Sequence, residues 1–275
     1  YDVVIIEYLQ YSYVLPLFPK ALKILDTHDL MHVRNQLFKA NNRTHWIDIS
    51  ESEELSIFRE YNHVLSIQKK EHDYCIKNSI PSILTPYSYE GLKCDINKNM
   101  KDIIFVGGNN EANIDAICWF IDEVWPLFAK TPLNLVICGT VCSGLKYKYK
   151  ELPSNVFLKG LVKDLSLEYK NASVAINPVR LGGGLKIKNV EALANSLPLI
   201  TTKEGSNGLE DGINSAFIVA DTVDDWINGV ISLWISKELR GLLSNNAYKY
   251  AHNNFSEKAC YSQLVNIISE HVKND

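Results

Sequence analysis

The chain has 275 residues, 46% of them hydrophobic and 22% charged, with a formal net charge of −4. That length allows one large or two ordinary domains with true cores, in a composition typical of globular proteins. The weak negative charge gives no basis for bulk nucleic-acid binding, no apolar run approaches a membrane span, and the first residues lack a signal-peptide pattern.

The first element is an apolar strand, Val3 to Ile6, which follows Tyr1 with no methionine before it. Such a strand needs sheet neighbours on both sides, so the chain is expected to lack leading strand–helix units. Leu22–Asp26 and Val64–Ile67 read as further strands, with helices predicted over 30–40, 51–60 and 69–78. This alternation predicts a parallel sheet with covering helices. Pro81, Pro86 and the polar run from Tyr87 to Lys101 read as a linker. A second cycle opens with Ile103–Gly108 and a helix from about Ala112 to Ala129. Strands are then predicted at Leu135–Gly139, Val156–Leu158, Val174–Ile176, Leu199–Ile200 and Phe217–Val219. Six strands with helices between them make a complete doubly wound domain. From Thr222 the chain reads as helical to its end, with breaks near Ser236 and Asn253-Asn254. Glycines 107, 108, 139 and 160 would gather on the carboxyl edge of the sheet, where ligands of open α/β sheets bind.

The richest stretch is VAINPVRLGGGLKIKNVEALANSLPLITTKEGSNGL, from Val174 to Leu209. It reads as a strand, a loop with Gly182, Gly183 and Gly184, a helix from about Leu185 to Asn195, and a strand near Pro198 to Thr202. A glycine loop before a helix can bring backbone N–H groups and the helix dipole to a phosphate. Helical spacing puts Ile187, Val190, Leu193, Ala194 and Leu197 on one face, and Lys188, Glu191 and Asn195 on another. A cation one turn past the loop and a carboxylate one turn further suit a nucleoside diphosphate: Lys188 at the phosphates, Glu191 at the ribose. The competing account is a solvated i, i+3 ion pair beside a flexible connection, and spacing alone does not choose between them.

These residues resemble the donor-binding segment of glycosyltransferase family four, retaining sugar transferases of the GT-B fold. The resemblance rests on glycine–x–glycine–apolar–x–x–lysine, then Glu191-Ala192, then Pro198-Leu199-Ile200-Thr201-Thr202. The wider family carries a second glutamate eight residues before Glu191, where this chain has Gly183. FVGGNNEANIDAICWFIDEVWPLF is similar to the opening strand and helix of the family's C-terminal domain, and VFLKGLVKDLSLEYKNASVAINP to its next strand–helix–strand. The family's arginine and lysine after the first strand are replaced by Asn109, Asn110, Glu111 and Asn113, which raises the demand on Lys188.

The resemblance implies a GT-B α/β fold of two Rossmann-like doubly wound domains, the N-terminal one incomplete. Its parts would be an acceptor-side domain over 1–89, a donor domain over 100–257, and a helix over 258–275 crossing back. It implies transfer of a sugar from a nucleotide-sugar donor to a glycan or lipid-linked acceptor, with retention and without a metal or other cofactor. A cytoplasmic site is expected, and a lipid-linked acceptor is compatible with peripheral membrane contact. Gly107, Gly108, Asn109, Gly182, Gly183, Gly184, Leu185 and Lys186 join Lys188 and Glu191 as donor-site candidates, and Gly160, Leu161 and Val162 would lie by the base. His28, between a strand and a helix, matches the histidine that orients the donor sugar from the opposing domain. An imidazole there also suits simple helix capping, as does Asp29.

Other readings are weaker. His28-Asp29-Leu30-Met31-His32 imitates the HExxH zinc motif, but with aspartate for glutamate and with its first histidine against a strand. The six cysteines show no CxxC pair and read as reduced thiols. Lys146, Lys148 and Lys150, interleaved with Tyr147 and Tyr149, read as a solvated surface segment. Two further functions remain open: a non-catalytic nucleotide-sugar binder, and a nucleotide-sugar epimerase of the same fold.

Overall fold

The structure, a computed structural model, describes residues 1–40, 47–93, 100–181 and 184–274. It divides into two compact units, Tyr1–Ser88 with Glu257–Asp275, and Tyr89–Ser256.

The first unit holds four parallel strands in the order β1 (Val3–Glu7), β2 (Leu22–Asp26), β3 (His63–Ser66), β4 (Ser82–Leu84). Its helices are α1 (Met31–Ala40), α2 (Glu51–Phe58) and α3 (Lys69–Lys77). Strand alternation divides the core into two layers. Leu25 and Val64 pack with Phe58, Cys75 and Ile80 on one face. Ile24, Leu65 and Ile83 face the other way, against Leu264, Ile267 and Ile268 of the last helix, α10 (Glu257–Asn274). α2 starts at a capping box, in which the Ser50 side chain accepts from the Glu53 N–H and the Glu53 carboxylate accepts from the Ser50 N–H.

Two elements here escape sequence reading. A nine-residue 3₁₀ helix, Leu9–Leu17, joins β1 to β2, and β4 lies where a linker is predicted, between Pro81 and Pro86. A three-residue strand is too short to show a period, and prolines are tolerated beside it because β4 is an edge strand. β1 forms the other edge, with Ile5 47% exposed.

The second unit has six parallel strands: β5 (Asp102–Val106), β6 (Asn134–Cys138), β7 (Val156–Gly160), β8 (Val174–Asn177), β9 (Leu199–Thr201) and β10 (Ile218–Val219). Their order is β10-β9-β8-β5-β6-β7. The chain therefore runs outward from β5 in one direction and then, from β8, in the other. The reversal opens a crevice between the carboxyl ends of β5 and β8, the switch point of a doubly wound sheet.

The helices of this unit are α4 (Glu111–Trp119), α5 (Val141–Lys148), α6 (Leu165–Asn171), α7 (Ile187–Ala194), α8 (Val223–Ile235) and α9 (Lys237–Phe255). The helix predicted over Ala112–Ala129 is regular only to Trp119; a π turn, Phe120–Val124, and a 3₁₀ turn, Trp125–Leu127, continue it. Pro126 is the reason: it lacks an N–H and its ring crowds the carbonyl one turn back. Trp125 stays buried and donates from Nε1 to Asn155 Oδ1 at 3.1 Å. The Lys146–Lys150 segment is not wholly solvated. It lies largely on α5, where Tyr147 is exposed and Leu145 buried, and Tyr149 donates to Asp122 at 2.7 Å. The break at Ser236 falls as predicted, whereas Asn253 and Asn254 remain inside α9 and the second break is at Ser256.

Candidate functional site

Both sides of the switch-point crevice carry candidate groups. After β5 the chain turns through Gly107 and Gly108 into α4, whose N-cap Asn110 accepts from the Asn113 N–H at 3.0 Å. After β8 it passes Pro178 and the glycine loop into α7. Gly182 and Gly183 lie outside the described residues. Gly184 has φ +78°, a left-handed backbone that suits glycine, and a Cβ there would meet open space. A tight contact supports the turn from below. Gly139, with φ +101°, lies so close to Gly107 that a Cβ on it would stand 2.2 Å from the Gly107 carbonyl oxygen. The Asn109 N–H donates to Thr140 Oγ1 at 2.8 Å. Gly108 is not sterically forced, since its nearest neighbours would lie at 3.9 Å.

Lys188 joins the two sides. Its Nζ donates to Asn113 Oδ1 at 2.6 Å, and Asn113 Nδ2 donates in turn to the Gly108 carbonyl at 3.0 Å. The ammonium also stands 4.5 Å from the centre of the Phe105 ring. These partners are neutral and the residue is half-buried with its ammonium turned inward, so its pKa falls to about 7, first by desolvation and then by the charge of Lys186, with Glu191 opposing. The surface ion-pair account is thereby corrected. Lys188 is held inward by Asn113, and the Glu191 Oε2 accepts instead from the Tyr169 hydroxyl at 3.0 Å. Burial raises the Glu191 pKa, with Tyr169 and Lys188 lowering it.

The start of α7 also differs from expectation. The helix begins at Ile187, not Leu185, and Lys186 is its extended N-cap, so helical angles do not place the Lys186 side chain. Lys186 donates to the Gly184 carbonyl at 2.9 Å and lies 3.9 Å from Glu204; burial lowers its pKa and Glu204 opposes this. Ile187 is 47% exposed rather than core-facing, because it opens the first turn. Leu185 is half-buried and packs with the core cluster of α7. Of the proposed base-contact group, Gly160 has φ +70° with open space at its Cβ, Leu161 is 79% exposed, and Val162 packs against the core.

A buried polar network below the loop was not foreseen. Asn177 Nδ2 donates to Asn189 Oδ1 at 2.9 Å, and Asn189 Nδ2 donates to the Gly205 carbonyl at 2.8 Å. Thr201 Oγ1 donates to the Asn177 carbonyl at 3.0 Å, and Thr202 Oγ1 to that of Val179. These bonds tie β8, α7 and the loop after β9 together at the site. Polar letters inside apolar, buried elements were the available signal. Tyr169, by contrast, carries no local signal.

In the first unit, His28 follows β2 with φ +57° and stacks on Tyr8, which follows β1 with φ +64°; their ring centres are 4.2 Å apart. Two non-glycine residues with positive φ at adjacent strand ends store strain of a kind concentrated at functional sites. His28 Nε2 lies 3.9 Å from Asp26 Oδ1, whose carboxyl pKa is raised by burial and pulled back by His28. The zinc-motif reading fails on geometry. His28 precedes α1, so it shares no helix face with His32, and His32 Nδ1 is 2.5 Å from Glu54 Oε2. Asp29 pairs with Arg34 at 3.1 Å, and at the start of α1 Glu54 accepts from the N–H groups of Met31 and His32. Among the described residues no group of three or more His, Cys, Asp or Glu side chains is arranged to hold a metal, and no helix is long and apolar enough to cross a membrane. Five of the six cysteines are described, and all are buried and unbridged.

Residues 100–235 match the family model for glycosyl transferases group 1. That span contains the switch-point crevice, Lys188 and Glu191. It is a group 1 glycosyltransferase domain. The whole chain is similar in fold to a sucrose-phosphate synthase from Thermosynechococcus elongatus, with a TM-score of 0.73 at 15% identity over 100% of this chain and 75% of the other. It is similar also to HepE of Anabaena, solved in complex with UDP and glucose, with a TM-score of 0.69 at 11% identity over 98% and 78%. At these identities the likeness is one of fold, the two Rossmann-like units of the GT-B glycosyltransferases. A curated relative, an uncharacterised 44.6 kDa protein in the cps region of Klebsiella pneumoniae, is 24% identical over 220 residues, 74% of this chain and 55% of that protein. The chain thus spans about half the length of that relative.

Proposed function

We propose that the protein of which this glycosyltransferase domain is part moves a sugar from a nucleoside-diphosphate sugar to a glycan or lipid-linked acceptor, with retention and without a metal. The observation that carries the reading is Lys188. Its ammonium, on a half-buried residue, is held across the switch point by Asn113, with neutral partners, beside the loop that precedes α7. A protein that buries a cation among neutral groups leaves its charge for an anionic ligand.

In the reaction, the bond between the anomeric carbon and the diphosphate oxygen breaks as the acceptor hydroxyl oxygen bonds to that carbon. The acceptor proton passes to an oxygen of the departing diphosphate, on which negative charge grows as the bond breaks. Lys188 and the first-turn N–H groups of α7 meet that charge in a pre-aimed array. Glu191 accepts from the ribose hydroxyls. His28, held by its stack on Tyr8, orients the donor sugar, and Gly160, Leu161 and Val162 border the base. HepE, of similar fold, is a complex with UDP and glucose, and the relative from a cps region suits a polysaccharide product.

The test is incubation with labelled UDP-, GDP- and ADP-sugars with and without glycan acceptors. Transfer gives free nucleoside diphosphate and a labelled acceptor. An isomerised donor would make the protein an epimerase, and saturable binding without turnover would make it a binding protein.

A further inference from the structure

The hydrogen bond from Tyr169 to Glu191 has no part in the donor contacts described above. Tyr169 lies on α6 with 1% of its surface exposed, and its hydroxyl donates to Glu191 Oε2 at 3.0 Å. Glu191, one helical turn past Lys188, is half-buried. A carboxylate has two oxygens and can hold a ribose edge only if its plane is fixed. A free χ rotation would lose one of two hydrogen bonds and add entropy cost on binding.

On the reading that Glu191 meets the ribose, we infer that Tyr169 is a positioning residue. It holds Oε2 so that Glu191 presents its remaining lone pairs to the ribose hydroxyls, and so makes the site select ribonucleotides over deoxyribonucleotides. The bond does a second job. Burial pushes the Glu191 pKa up, and the Tyr169 hydroxyl and the Lys188 charge push it back down. Tyr169 therefore helps keep Glu191 an acceptor-only carboxylate, the form that a hydroxyl donor requires. The same desolvation, with the neighbouring Glu191 charge, drives the Tyr169 pKa well up, so the phenol keeps the proton it donates.

The test measures affinities for UDP, GDP and ADP, and then, for the tightest of them, for its 2′-deoxy and 3′-deoxy forms. The native protein should prefer the ribose form by roughly tenfold, the scale of one hydrogen bond to a charged group. Tyr169→Phe removes one oxygen and keeps the ring; it should cut that preference to about threefold or less while leaving the gain from nucleoside to diphosphate intact. The acid limb of the ribose preference should also move to higher pH in Tyr169→Phe. Should that variant not fold, 3-fluorotyrosine placed at position 169 gives a stronger donor at little steric cost and should move the same limb to lower pH. A full ribose preference in Tyr169→Phe, with its loss in Glu191→Ala, overturns the role of Tyr169 and leaves the ribose role of Glu191 standing. A preference that survives Glu191→Ala overturns both, as does failure of all three diphosphates to bind.

Discussion

Replacing Lys188 by alanine is the sharpest test of the proposed donor site. The side chain is held by Asn113 at 2.6 Å and by the face of Phe105 at 4.5 Å, so its ammonium is already placed and little ordering remains to be done on binding. A charge-assisted hydrogen bond to phosphate is then worth ~1.5–3 kcal/mol, and the variant should bind a nucleoside diphosphate roughly 10- to 150-fold more weakly. Affinity for the bare nucleoside should barely change, because the nucleoside has no phosphate to lose. The pH profile adds an internal check. With its pKa depressed to about 7, Lys188 is an ammonium in the free protein below that pH, and above it must take up a proton to meet the phosphate. Native affinity should therefore fall by up to about tenfold per pH unit above pH 7, with proton uptake visible as a buffer-dependent heat. In Lys188→Ala that dependence should vanish. Calorimetric titration of both proteins with UDP and uridine, in two buffers of different ionisation heat, reads all of this. Equal UDP affinity in the two proteins near pH 7 would refute the reasoning outright.

Gly139→Ala should destabilise the protein by more than about 2 kcal/mol, since the new Cβ would strike the Gly107 carbonyl in a backbone region that alanine avoids; a denaturation midpoint within error of native would contradict this. Glu71 is buried with its pKa raised to about 7, chiefly by desolvation, with Gln68 opposing. Because the folded value lies above the unfolded one, its stabilising share is whole in acid and is lost as pH rises through about 7. Glu71→Gln should thus gain about 1–3 kcal/mol over native at pH 8 and little near pH 4.5, by urea denaturation at both; an equal difference at the two pH values would mean that Glu71 titration is not linked to folding and would refute this. His28→Ala should lower sugar transfer by about 100-fold or more with nucleotide affinity within about twofold, and a matched loss in both assays would assign His28 to binding or folding.

Much of the site lay open in the linear sequence because it is built from local devices. Strand, glycine loop and helix are consecutive in the chain, so Lys188 and Glu191 could be placed three residues apart on α7 without knowing anything beyond helical geometry. The six-strand cycle after residue 100 was legible for the same reason: buried parallel strands are continuous apolar runs, and helices between them keep a different period. Gly139 was flagged only as a strand end; that it underlies Gly107 became visible when β5 and β6 paired.

What the tertiary structure alone decided is who meets whom. Lys188 and Asn113 are 75 residues apart in sequence, and Tyr169 and Glu191 are 22 apart. Each pair exists because the strand order reverses between β5 and β8, a fact about long-range pairing that no local pattern encodes. Burial depends equally on neighbours far along the chain: spacing made Lys188 and Glu191 equally good as a solvated ion pair. Only the packing of α7 against the rest of its unit shows that the lysine is desolvated and the glutamate held by a tyrosine. The stack of Tyr8 on His28, each with a positive φ, likewise needs β1 and β2 side by side. The sequence by itself determined the domain class and the chemical groups; their protonation, orientation and partners were decided by the fold, because solvation and Coulomb interaction depend on distance in space and not along the chain.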